Sequence, residues 1–72
     1  METYGNFGGD SGISAFEIGA DYIRVKFSST GKVYTYSYGK AGKSHVDQMK
    51  ILARSGSGLN SYIMRNVKSL FD

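Results

Sequence analysis

One stretch of the 72-residue chain alternates cleanly between apolar and polar positions: in "YIRVKFS" (22–28), Ile23, Val25 and Phe27 fall on one side and Tyr22, Arg24, Lys26 and Ser28 on the other. A period of two is the signature of a half-buried strand. "STG" (29–31) follows as a turn, with Gly31 free to take a positive φ. "KVYTYSY" (32–38) is a run of strong β-formers and reads as the next strand. Upstream, "GISAFEIG" (12–19) alternates imperfectly, with Ile13, Ala15 and Glu17 on one side and Phe16 and Ile18 on the other. A short strand with a break near Gly19 fits it. Residues 1–10 are rich in Gly and polar groups, with Tyr4 and Phe7 interspersed, and read as a flexible tail ahead of a single domain over 11–72.

After the strands the period changes. Val46, Met49, Leu52 and Ala53 recur at helical spacing through "HVDQMKILARS" (45–55). Ser44 can cap that helix, with Asp47 three residues on as the acid of a capping box, and "GSG" (56–58) stops it. Leu59, Ile63, Val67, Leu70 and Phe71 then mark a second amphipathic helix, with Arg65 and Lys68 on its wet side. The expected architecture is α+β, in the order β-β-β-α-α: a three-stranded antiparallel meander with two helices packed on one face and the other face open.

Charge adds a direction to this picture. The formal net charge is only +3, but residues 1–23 carry four acids and no base, whereas residues 24–72 carry all nine Lys and Arg against Asp47 and Asp72. The surplus favours an anionic partner for the second part of the chain, unless the lysines and arginines merely solvate helix and strand surfaces. The absence of cysteine excludes disulfides and thiolate metal sites. No apolar run approaches the ~20 residues of a membrane span, and the first ten residues lack the basic start and apolar core of a signal peptide, so a soluble, cytoplasmic protein with no membrane partner is expected.

"SGISAFEIGAD" (11–21), "IRVKFSSTGKVYTY" (23–36) and "ILARSGSGLNSYIMRNV" (51–67) together resemble the KTSC domain, a short module named after the C-terminus of some lysyl-tRNA synthetases. Its most specific parts here are Tyr34-Thr35-Tyr36 after a Gly-containing hairpin and "GLNSYI" (58–63). Family members typically carry a Val-Pro step after the tyrosine motif, where this chain has "KAGKS". The resemblance implies a small single-domain protein or terminal appendage, for which RNA binding has been suggested.

The chemistry-bearing motifs are few. "SYGKAGKS" (37–44) ends like a phosphate-binding P-loop, but Ser37 stands where the first glycine belongs, and an antiparallel sheet lacks the crossover strand that would bring a magnesium-binding acid. Nucleotide hydrolysis is not expected. A helix N-terminus flanked by Lys40, Lys43 and Ser44 still suits one phosphate, unless it is a plain soluble connection. Arg54, Asn60, Arg65 and Lys68 extend the candidate nucleic-acid or anion surface around the interhelix turn and second helix. Arg65 and Lys68, three apart, would share a face, and Asn60 would alternatively tie the Gly-Ser-Gly turn.

Tyr34, Tyr36 and Tyr38 share one face of their strand, and the hairpin decides which. An even-numbered turn, as with Thr30-Gly31, sets Phe27 opposite Tyr34 and Val25 opposite Tyr36, with the tyrosines under the helices. A three-residue turn with a bulge at Gly31 sets them beside Arg24 and Lys26, where bases could stack. A thin core needs their area and favours the first arrangement, while the glycine favours the second, and both stay open. His45 reads as a surface helix residue, since no converging metal ligands and no nucleophile–base–acid set are visible. The expectation is therefore a non-enzymatic binding module with no cofactor or metal. Its basic loop and helices would take nucleic acid, RNA or a single strand for preference. The alternatives are a protein-interaction or self-associating module, and a binder of a small phosphorylated ligand at the Gly39–Ser44 loop.

Overall fold

The computed structural model describes residues 1–5, 7 and 12–72. The coarse α+β architecture is as expected, but the sheet has four antiparallel strands rather than three. They are β1 (Glu2–Thr3), β2 (Ile13–Ile18), β3 (Tyr22–Phe27) and β4 (Val33–Ser37), in that spatial order. β1 comes from the segment expected to be a tail. Its two residues pair with Phe16 and Ala15 of β2, and Tyr4 follows them into the core with only 4% of its surface exposed. Burial of that ring is what holds so short a strand in place, because two residues of ladder alone are marginal. The rest of the expected tail, residues 6 and 8–10, lies outside the described residues.

The imperfect alternation in β2 has a local cause. The register with β3 shifts between Ile13 and Ala15, so Ser14 is the extra residue of a β-bulge. Ile13 thereby joins Phe16 on the helix side, while Ala15 and Glu17 pair with Lys26 and Arg24 on the far side.

The β3–β4 hairpin settles the tyrosines. Phe27 N–H donates to Lys32 O at 2.9 Å and Gly31 N–H to Phe27 O at 2.8 Å, enclosing a four-residue loop over 28–31 with Gly31 at φ 71°. The even loop sets Val25 opposite Tyr34 and Ile23 opposite Tyr36, so the tyrosines face the helices. A terminal glycine with positive φ serves a four-residue loop as well as a bulged three-residue one, and core area decided between them.

α1 (Lys43–Ser55) buries Val46, Met49 and Ala53 against the sheet. Its N-cap is Gly42, with no side-chain cap, so the expected Ser44–Asp47 capping box does not form. Gly56 ends it in the left-handed region at φ 81°, its N–H returning to Leu52 O. α2 (Leu59–Tyr62) continues into a π-helical turn (Ile63–Val67), rather than one uniform α-helix. Its buried residues Leu59, Ile63 and Val67 are spaced by four. In an α-helix that spacing drifts by about 40° per step, and the wider π turn takes up the drift and keeps the stripe on the core. Beyond it, Asp72 lies along the β4 edge, its N–H donating to Thr35 O at 2.7 Å and its carboxylate accepting from Ser37 Oγ. Among the described residues no helix is long and apolar enough to cross a membrane.

Candidate nucleic-acid interface

The residues singled out in the sequence are not brought to one place. Lys40 and Lys43 stand at the start of α1, and Arg54 in its last turn. At 1.5 Å per residue the axis between Lys43 and Arg54 measures about 16 Å, so the loop and the interhelix turn are separate sites.

At the start of α1 the charge is already answered. Lys43 Nζ donates to Asp47 at 2.8 Å, one turn along the helix. The Tyr38 hydroxyl donates to the other oxygen of the same carboxylate. Lys50 Nζ donates to the Tyr38 hydroxyl and to Ala20 O, each at 3.3 Å. Lys43 and Lys50 also lie 5.5 and 5.0 Å from the centre of the Tyr38 ring. The Lys43 hydrogen bond, and then that of Tyr38, hold the Asp47 carboxyl below the usual carboxylate range. The same bond, with the charge of Asp47, raises the Lys43 ammonium. A carboxylate at this loop opposes an incoming phosphate, which weakens the small-anion reading of Gly39–Ser44. Tyr38 is therefore the anchor of a charged cluster rather than a stacking platform. Ser44 and Lys40 are exposed.

His45 is not a plain surface residue. Its Nδ1 lies 2.8 Å from the Tyr62 hydroxyl and joins α1 to α2. Asn60 does not cap α2, which has no side-chain cap. The interhelix turn is tied instead by Ser55 Oγ, which donates to Leu52 O, and by the Tyr4 hydroxyl, which accepts from Leu59 N–H at 3.2 Å. Tyr4 was invisible to sequence reasoning in this role, since 55 residues separate it from its partner.

A groove of about 270 Å³ opens between the β3–β4 hairpin and the π-helical turn. Phe27, Tyr34, Met64, Lys68 and Phe71 line it, with Tyr36 beneath. The Phe27 and Tyr34 rings meet edge-on at 5.5 Å, and Tyr34 and Phe71 lie tilted at 4.8 Å. Met64 and Phe71 remain 48% and 38% exposed. Of the stacking candidates, Tyr36 is excluded by burial at 1% exposure, whereas Tyr34 presents part of its ring here. Burial, with the neighbouring Tyr34, pushes the Tyr36 phenol up to about 12. Lys68 lines the groove with Met64, four residues before it, and Arg65 does not, so the expected shared face of Arg65 and Lys68 is not formed here. The helix-period reading missed Met64 because it lies off the Leu59–Ile63–Val67 stripe.

The far side of the sheet is small and polar. Glu17 accepts from Arg24 at 3.2 Å and from the Tyr22 hydroxyl at 3.1 Å, so much of its polar surface is internally matched. Comparison of the chain with protein-family models, curated proteins and solved structures finds no match.

Proposed function

We propose that this chain is a non-enzymatic module that binds nucleic acid, RNA or another single strand for preference, in the cytoplasm. The observation that carries the reading is the state of its cations. Among the described residues only Arg24 and Lys43 form ion pairs, and the other seven Lys and Arg have no carboxylate partner. Cations left without a carboxylate partner are free to neutralise the phosphates of a polyanion, whose binding releases condensed counterions. The KTSC resemblance points the same way. A protein partner is less favoured: β1 offers an edge of only two residues, Asp72 lies along β4, and the open face carries its own Arg24–Glu17 pair.

The test is fluorescence anisotropy with a labelled single-stranded RNA of mixed sequence across a salt series. The expected result is a log–log slope of about −0.7 for each phosphate engaged, or roughly −3 for four. Binding that ignores salt, or no binding at low salt, would overturn the proposal.

A further inference from the structure

The groove between hairpin and π-helical turn matches a more specific ligand than a bare phosphate chain. We propose that it receives one unpaired base, stacked on Phe71 beside Tyr34, with Lys68 on the adjoining phosphate; this rests on the nucleic-acid reading above and names its base-binding subsite.

Several observations converge on that occupant. Met64 and Phe71 line the groove together while staying partly exposed, so its wall offers apolar surface to a ligand. Of the rings at the groove, Tyr34 and Phe71 are tilted at 48° rather than closed face to face, and Phe71 keeps 38% of its surface exposed for an incoming ring. Among the described residues Lys68 is the only charged one lining the groove, and no acid lines it. Ser29 and Thr30 bring hydroxyls to the rim, where a base has donors and acceptors. An aromatic platform with a single cation at its margin fits a nucleotide, whereas an apolar peptide side chain would make no use of the lysine. Met64 and Lys68 reach the groove from the π-helical turn and the residue after it, and such turns occur frequently at functional sites.

The experiment compares a labelled ten-nucleotide RNA with the same sugar–phosphate chain lacking its bases. Stacking is worth about 1–3 kcal/mol per base, so the abasic chain should bind roughly 5- to 150-fold more weakly to the unaltered protein. Phe71→Ala should lose a similar factor toward the intact RNA and nothing toward the abasic one. Lys68→Met should make the salt slope shallower by about 0.7. Intermolecular NOEs from base protons to the Phe71 and Tyr34 rings would place the base without any substitution, should Phe71→Ala fail to fold. Equal binding of intact and abasic chains would overturn the base subsite and leave the nucleic-acid reading standing. So would full affinity for intact RNA in a folded Phe71→Ala. Failure of both chains to bind at low salt would overturn both.

Discussion

Tyr36 shows how far a single residue can be committed to the core. Its phenol ionises at about 12 in the folded protein, against about 10 when exposed. Between those values the unfolded chain has lost the proton and the folded one has kept it, so the unfolded state binds fewer protons and stability falls as pH rises. We expect a loss of about 1.4 kcal/mol for each pH unit between 10 and 12, read from denaturant midpoints, and Tyr36→Phe should remove that component. Tyr38 behaves differently, because its hydroxyl serves Asp47. In Tyr38→Phe the Asp47 carboxyl should titrate at higher pH by NMR, moving back toward the ordinary carboxylate value. The sign is fixed by the lowered folded value: whatever Asp47 contributes is present above the unfolded pKa and disappears as pH falls through the folded one. Neither tyrosine role was legible beforehand. Gly31 is compatible with both hairpin parities, and the partners of Tyr38 follow only once α1 starts at Lys43 instead of behind a Ser44 cap.

At the scale of elements, β3 and α1 were legible because each carries its own period over many residues. β1 was not, since two residues have no period and the glycines around them suggest a mobile chain. What makes β1 an element is Tyr4, whose ring is buried and whose hydroxyl accepts the first N–H of α2. Tyr4→Phe keeps the ring and removes the acceptor. It should cost about 1 kcal/mol in chemical denaturation, the usual effect of removing the acceptor of a buried backbone N–H. Hydrogen exchange at Leu59 should quicken alongside. The groove was equally hidden from sequence, since Phe27, Tyr34 and Phe71 reach it from three separate segments.

For the whole molecule, 72 residues allow only a thin margin of stability, so each contact across the sheet counts heavily. Removing residues 1–5 would strip β1, the Tyr4 ring and its hydrogen bond to Leu59 together, for roughly 3 kcal/mol and a fall in Tm of about 10–20 °C. Calorimetry on the shortened chain checks this, and an unchanged Tm would mean that the N-terminal strand contributes little. The distribution of cations, by contrast, was readable from the sequence as a surplus. What it lacked was distance: one helix separates the loop lysines from Arg54, and Asp47 had already engaged Lys43.

The π-helical turn at Ile63–Val67 has a genetic consequence. Such a turn holds one residue more than an α-helical turn closing the same gap. Loss of one codon at its exposed positions, Met64 to Asn66, would let the segment relax to an ordinary α-helical turn across the same gap and leave all that follows in register. Lys68 and Phe71 would keep their places beside the hairpin, and the core stripe would stay seated. A frame-preserving deletion of three nucleotides should therefore be tolerated here, whereas the same deletion inside α1, which has no residue to spare, would turn the rest of that helix by about 100°.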